Sequence, residues 1–344
     1  MLEEQKRRCL FLEVAPWESE RIEKELGDCG KMEISTETLE ESTVDEPESF
    51  TVLSPSTHSS IDADALDRFP NVKLITTRST GIDHIDLEAC HNHGVVVCNV
   101  PTYGANTVAE HTFGLILSLT RRVHKAHEQA VHGKFNLEKL RGFDLRGRTL
   151  GVVGTGSIGT HVIRIALGFQ MNVIAYDVHP VHQMADALGF AYVDMERLLS
   201  EADIVTLHAP YNEKTHHMID HTAVASMKKG AFLINTARGG LVNTEALVGG
   251  LESKQLGGAG LDVLEHEQAI IEEGQLLSKH YDAQGLKTLL ENNILLRMEN
   301  VIITPHIGFN SAEALDKILA TTLQNIAAFE ADRPQNEVSV LSGQ

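Results

Sequence analysis

Short apolar runs alternate with polar stretches of helical periodicity along nearly the whole chain. In the first hundred residues the runs Cys9–Val14, Ser49–Leu53, Lys73–Thr77 and Val95–Cys98 predict strands, and Glu18–Leu26 and Ile61–Phe69 predict helices between them. Such strand–helix alternation implies a parallel sheet with helices on its faces. Asn99-Val100-Pro101 breaks the pattern, and a single long helix is predicted from Gly104 to about His127. Arg121 and Arg122 close its apolar part, where positive charge suits the dipole of a helix C-terminus. The alternation then resumes. Strands are predicted at Thr149–Val153, Val173–Tyr176, Asp203–His208, Ala231–Asn235, Gly258–Val263 and Val301–Thr304. Helical stretches fall around Glu196–Ser200, Thr222–Met227 and Thr244–Leu251, and a last helix covers Ala312–Phe329.

The most informative stretch is Thr149 to Asp177. The buried-strand run Thr149–Val153 enters Gly154-Thr155-Gly156-Ser157-Ile158-Gly159, a complete GxGxxG. A helix carrying Ile158, Val162, Ile165, Ala166 and Phe169 follows, then a second strand that ends at Asp177. A lone GxGxxG is weak evidence. Here the strand, helix, second strand and terminal acid fall in register, with Asp177 lying 23 residues after Gly154 against about 20 in the general dinucleotide-binding pattern. Gly154 allows the tight turn, Gly156 the approach of a pyrophosphate, and Gly159 the packing of helix on strand. The helix start supplies N–H groups and a positive dipole end. Asp177 would accept the ribose hydroxyls and repel a 2′-phosphate, and Val178, His179 and Pro180 bring no Arg or Lys to reverse that preference. The expected cofactor is NAD.

Two α/β units are therefore expected: two Rossmann-like, doubly wound parallel-sheet domains with a cleft between them as the active site. The expected division is 1–102 with 305–344 as the substrate domain, and 103–304 as the inserted NAD-binding domain. A chain of 344 residues is long enough for both. The net charge of −19 argues against nucleic acid as a partner. Part of that surplus lies in Thr36–Glu48, read as a solvated face or loop. No apolar run approaches the length of a membrane span, and the acids and bases before the short apolar stretch Leu10–Val14 lead to the expectation of no signal peptide. Cys9, Cys29, Cys90 and Cys98 form no CxxC and no metal-ligand spacing, so reduced thiols, no metal and a cytoplasmic location are expected.

Three polar clusters sit at predicted strand ends, where open α/β sheets bind ligands: Asn235-Thr236-Ala237-Arg238-Gly239-Gly240, Leu261-Asp262-Val263-Leu264-Glu265-His266-Glu267, and Thr304-Pro305-His306-Ile307-Gly308. With Arg78-Ser79-Thr80-Gly81-Ile82-Asp83-His84-Ile85-Asp86, Asn99-Val100-Pro101-Thr102-Tyr103, Val108-Ala109-Glu110-His111 and the GxGxxG unit, they span nearly the whole chain. In these segments the sequence resembles the D-isomer-specific 2-hydroxyacid dehydrogenases. Within that family it looks most like the D-lactate dehydrogenase branch. Tyr103 and the 39-residue interval from Glu267 to His306 carry that closer likeness.

The resemblance implies that Arg238, Glu267 and His306 are the catalytic residues, and general chemistry agrees. Imidazole, with an ordinary pKa of about 6.5, can exchange the hydroxyl proton near working pH. Glu267 would orient the ring through its other nitrogen, and Arg238 offers a planar fork for the substrate carboxylate or carbonyl. Glu265 competes with Glu267 for its role; the resemblance favours the second acid of this Glu-x-Glu. It further implies that Thr80 and Gly81 amides bind the substrate carboxylate, with Tyr103 closing the pocket. Ser157, Ile158, Ala209, Pro210, Thr215, Thr236, Ala237, Arg238 and Asp262 would join Gly154, Gly156, Gly159 and Asp177 around the cofactor. One departure is Gly308-Phe309-Asn310, a single aromatic where lactate-type relatives often carry two.

The expected reaction interconverts NADH plus a small 2-keto acid with the D-2-hydroxy acid, pyruvate and D-lactate first. Alternatives are 2-ketoisocaproate, phenylpyruvate or hydroxypyruvate, or an NADH-sensing corepressor-like binding protein. The long helix at 104–127 is more apolar than one core face requires, and a homodimer is expected from it, as in the family.

Overall fold

The computed structural model describes residues 8–26, 31–265, 267 and 283–338; Cys29 and His266 lie outside them. The chain divides into two compact units, Met1–Gly104 with Ser311–Gln344, and Ala105–Asn310.

In the first unit, β1 (Arg8–Phe11), β2 (Lys31–Ile34), β3 (Val52–Ser54), β4 (Leu74–Thr76) and β5 (Val96–Cys98) form a sheet in the order β2-β1-β3-β4-β5. Every neighbouring pair is parallel. Successive residues of a strand face opposite sides, and here both sides are covered. Phe11, Val52 and Leu74 pack with Ile22 of helix Pro16–Leu26 and with Leu319, Leu323 and Ile326 of helix Ala312–Glu330. Leu10, Leu53 and Ile75 face the other way, toward Leu66, Phe69 and Cys90. Burial on two faces explains why these strands read as unbroken apolar runs.

The second unit contains β6 (Thr149–Val153), β7 (Asn172–Tyr176), β8 (Ala191–Tyr192), β9 (Ile204–Leu207), β10 (Ala231–Asn235), β11 (Leu256–Leu261) and β12 (Val301–Ile303). Their order is β12-β11-β10-β9-β6-β7-β8, again all parallel. Strand order reverses at β6, between β9 and β7, which is where doubly wound sheets open a ligand crevice. One face packs on Phe113, Ile116, Val162 and Ile163, the other on Leu198, Val224, Leu247 and Leu251.

Four features depart from the sequence reading. The predicted long helix is two helices, Ala105–Arg121 and Val123–Val131, because Arg122 is left-handed at φ +51° and ends the first. Two short strands, β2 and β8, were not expected, nor were helices Leu87–Asn92, His182–Leu188 and Ala283–Arg297. The Thr36–Glu48 loop is not wholly solvated, since Leu39, Ser42 and Val44 are buried and Glu46 pairs with Arg8 at 2.7 Å. The unit boundaries fall after Gly104 and Asn310, where the sequence suggested 102 and 304. The second shift has a local cause: His306, Ile307 and Gly308 donate their backbone N–H groups to Asp262 and so belong with β11.

Candidate active site

The C-terminal ends of β6, β7, β9, β10, β11 and β12 carry the predicted polar residues of the second unit. At the end of β6, Gly154 adopts φ +93°, and a Cβ there would lie 2.7 Å from the His208 backbone at the end of β9. A Cβ on Gly159 would lie 2.0 Å from the Gly154 carbonyl oxygen, so helix Ser157–Gly168 can start this close to the turn only with glycine there. A Cβ on Gly156 meets nothing within 4 Å, and the helix that Gly156 caps has no side-chain cap. An uncapped helix start with open space beside Gly156 fits a pyrophosphate.

Asp177 follows β7 directly. Its Oδ2 accepts the Thr155 N–H at 2.7 Å and the Thr155 hydroxyl at 2.9 Å, and its Oδ1 accepts the His179 N–H at 2.9 Å. Partial burial pushes its carboxyl pKa up, but these bonds outweigh it, and the net shift is down. The residue is held as an anion beside the glycine turn. Ala209 and Pro210 follow β9; Thr215 closes their loop, donating to Pro210 O at 2.7 Å. Thr236 is buried at the end of β10 against the Thr112 hydroxyl, 3.0 Å away.

His306 follows β12 in a left-handed conformation, φ +52°, a region that costs a non-glycine residue free energy and persists only where its surroundings impose it. Asp262, buried at the end of β11, does so. Its carboxylate accepts the Thr304 hydroxyl at 2.5 Å, the Ile307 N–H at 3.0 Å and the Gly308 N–H at 2.8 Å. His111 Nε2, from helix Ala105–Arg121, lies 3.2 Å from the same carboxylate. Burial alone would raise the Asp262 pKa; His111, Thr304 and Gly308 together bring it below the ordinary value. The loop so fixed presents His306 Nδ1 to Glu267 Oε1 at 2.8 Å. Among the described residues Nε2 has no partner. Phe309 stands edge-on to the imidazole, ring centres 6.3 Å apart.

The structure thus separates the two acids that the sequence left in competition. Glu267 faces His306, whereas Glu265 bonds His217 Nε2 at 2.6 Å. Arg238 lies on the turn after β10, where Asn235 bonds both Arg238 O and the Ala237 N–H. Its guanidinium also donates back to Ala237 O at 2.8 Å.

A nucleotide crevice and a carboxylate–histidine pair on one parallel sheet suit an oxidoreductase that handles a proton beside a dinucleotide. Residues 113–308 match the family described as D-isomer specific 2-hydroxyacid dehydrogenase, NAD binding domain. The chain belongs to that family. It is 37% identical over 339 residues to the 2-hydroxyacid dehydrogenase homolog 1 of Schizosaccharomyces pombe, covering 97% of this chain and 99% of the relative. The aromatic 2-oxoacid reductase of Clostridium sporogenes is 39% identical over 263 residues, covering 75% of this chain and 76% of that one. Among solved structures, D-lactate dehydrogenase of Aquifex aeolicus in complex with NAD and lactic acid superposes with a TM-score of 0.86. It is 34% identical and covers 94% of this chain and 96% of its own.

As a 2-hydroxyacid dehydrogenase, the chain uses NAD, which the residues at the switch point fit. When bound, the nicotinamide supplies or takes the hydride. The residues that would hold the dinucleotide are the Gly154–Gly159 turn, with Ser157 and Ile158 at its helix start, and Asp177.

In the first unit, the segment that the resemblance assigns to the substrate is strongly braced. Arg78 is buried; it donates to Ser54 O at 2.7 Å, Leu12 O at 2.5 Å and Glu13 O at 3.0 Å. Thr80 and Gly81 follow it on the surface side of the turn after β4, with the Thr80 hydroxyl on Val100 O. Tyr103 is half-buried near the end of this unit's first segment. Sequence reasoning assigned no role to His111, Thr304 or His217. His111 and Thr304 lie in segments that carry the family resemblance, His217 in none of them, and the His111–Thr304 contact spans 193 residues.

Proposed function

We propose that this 2-hydroxyacid dehydrogenase reduces a small 2-keto acid with NADH to the D-2-hydroxy acid, pyruvate being the first choice. The observation that carries the reading is the 2.8 Å Glu267–His306 pair with the second imidazole nitrogen left for substrate. In reduction, His306 donates its Nε2 proton to the keto oxygen; in oxidation it takes the hydroxyl proton back. Glu267 fixes the orientation of the ring through Nδ1. Arg238 takes the carboxylate or carbonyl oxygen with its fork, and the Thr80 and Gly81 amides, which have no acceptor among the described residues, bind the carboxylate. Tyr103 borders the same group. Ala209, Pro210, Thr215, Thr236, Ala237 and Asp262 flank the dinucleotide.

Lactic acid in the Aquifex complex supports pyruvate. The aromatic 2-oxoacid reductase supports phenylpyruvate as the second reading, and the lone Phe309 beside His306 is the residue that would bear on it. Steady-state oxidation of NADH and NADPH with pyruvate, 2-ketoisocaproate, phenylpyruvate and hydroxypyruvate tests the proposal. The highest kcat/KM with pyruvate and NADH is expected; no turnover with any acid would leave a cofactor-sensing protein as the better reading.

We also propose a cytoplasmic homodimer. The apolar residues of helix Ala105–Arg121 that suggested a dimer are buried in their own unit: Phe113, Leu115, Ile116 and Leu119. The support lies further on, where Val131, Phe135 and Leu137, close together in the sequence, are 68%, 79% and 78% exposed, apolar side chains suited to an isologous contact with a second copy. Sedimentation equilibrium of wild type and of Phe135→Asp tests it, with dissociation expected in the variant. The buried thiols of Cys90 and Cys98, which desolvation pushes up to about 11 and about 12, support a reducing compartment.

A further inference from the structure

Arg238 is followed by two glycines, and a planar fork on so free a turn needs outside support to hold its aim. The turn is held from three directions, and each leads to Glu265. First, the backbone at Gly239 lies flat on the segment ending in Glu265: a Cβ on Gly239 would sit 2.1 Å from Leu264 C and 2.5 Å from the Glu265 nitrogen. Second, Gly240 O accepts the His217 N–H at 2.8 Å, while the His217 ring gives Nε2 to Glu265 Oε1 at 2.6 Å. Third, Glu265 Oε2 accepts both the N–H (2.9 Å) and the hydroxyl of Thr244, which begins helix Thr244–Glu252 just beyond the turn.

The smaller contacts agree. Asn243 Nδ2 lies 3.3 Å from His217 Nδ1, which makes Nδ1 the acceptor and Nε2–H the donor toward Glu265. His216 stacks on His217 with ring centres 3.8 Å apart and meets the Tyr211 hydroxyl at 3.1 Å, while the Tyr211 ring covers Gly240. Glu265 is itself anchored, its carbonyl oxygen accepting Asn292 Nδ2 at 2.8 Å. Its carboxylate is 13% exposed, too enclosed for mere surface charge. Two residues on, the same backbone carries Glu267, the partner of His306.

We propose that Glu265 and His217 are positioning residues that hold Arg238 in register with the Glu267–His306 pair. One carboxylate ties the arginine turn to the segment that carries the catalytic acid, so the fork and the imidazole are placed from a common support. The inference rests on the reading of Arg238 as a substrate contact. It also gives Glu265, the acid with no place beside His306, a role in the reaction.

A double-mutant cycle tests it. Glu265→Ala is expected to lower kcat/KM for the keto acid by about 10- to 100-fold, the scale of an ångström-level misplacement. Most of that loss should appear in the keto-acid KM, with NADH affinity unchanged. Glu265→Gln, which keeps an acceptor for Thr244, should recover most of the loss, and His217→Gln should produce part of it. In an Arg238→Ala background, Glu265→Ala should cost nothing further. Full additivity in that background overturns the proposal, as does a Glu265→Gln protein as impaired as Glu265→Ala. Should Glu265→Ala not fold, His217→Gln alone and paired with Arg238→Ala decides by the same criterion. If Arg238→Ala alone retained full activity, the reading of Arg238 would fail, whatever Glu265 does.

Discussion

At the scale of the residue, the site rests on a few groups held in unusual states. His306 is in left-handed backbone, and its loop is bracketed by Asp262. Removing the imidazole while leaving that bracket intact isolates its chemistry. His306→Ala should cut turnover by about 10² to 10⁴ with NADH binding near wild type, since the imidazole contributes nothing to the glycine turn. Stopped-flow NADH binding and steady-state rates measured together check this. A variant of near-full activity would remove His306 from the mechanism. Asp177 is held anionic by three donated hydrogen bonds. Two like charges about 4 Å apart repel by about 4 kcal/mol at an effective dielectric near 20, and a third of that is already a factor of ten. Wild type should therefore prefer NADH strongly over NADPH, and less so at high salt. The ratio of the two kcat/KM values should move toward NADPH in Asp177→Ala; an unchanged ratio would take Asp177 away from the ribose.

At the scale of the element, the glycine turn and helix Ser157–Gly168 are a close-packed joint. Gly159→Ala places a methyl 2.0 Å from the Gly154 oxygen, so the turn must move. Overpacking of this kind costs about 1–3 kcal/mol, and NADH affinity should fall alongside the melting temperature. A melting temperature and Kd equal to wild type would mean that the joint gives way without consequence. Elements of this length with strong apolar runs, β6 and β7 above all, were legible in the sequence, as was the fingerprint that joins them. What escaped had weak local signals. β2 and β8 are edge strands of four and two residues, too short for a period, and Lys31 and Glu33 place charges in the first. The break at Arg122 carries no glycine or proline, so nothing in the local pattern marks it. The choice between Glu265 and Glu267 is a matter of which way each side chain turns, and two acids two residues apart read alike until His217 and His306 are placed. The Asp262 bracket joins Thr304, Gly308 and His111 across long sequence separations and has no local signature.

At the scale of the whole molecule, one half-buried side chain should be visible in the pH dependence of folding. His208 is half-buried at the end of β9; Nε2 meets the Thr206 hydroxyl at 2.9 Å, and Nδ1 is shielded from solvent with no partner. Desolvation pushes its pKa down to about 3, against about 6.5 in an unfolded chain. Below about pH 6.5 the unfolded form therefore binds a proton that the folded form refuses. The stability lost grows as pH falls toward 3, by up to about 1.4 kcal/mol per pH unit; above pH 6.5 the residue adds no slope. Denaturant unfolding of wild type and His208→Gln from pH 5 to pH 8 checks this. The two curves should run parallel above pH 7 and converge or cross below pH 6. Parallel curves throughout would show that His208 takes up its proton in the folded protein.

Asp177 has a further consequence, for the way such a protein can change. The carboxylate proposed to select the ribose also receives the Thr155 N–H and hydroxyl and so clamps the glycine turn. Two traits therefore depend on one side chain and cannot vary separately. A substitution that welcomes the 2′-phosphate releases the turn at the same time, so a lineage or a designer moving toward NADPH first meets a poorer enzyme with either nucleotide. The route across needs a second change that re-anchors Thr155 before a basic residue near Val178 can be of use, and Asp177→Asn, which keeps one acceptor for that N–H, is the natural stepping stone.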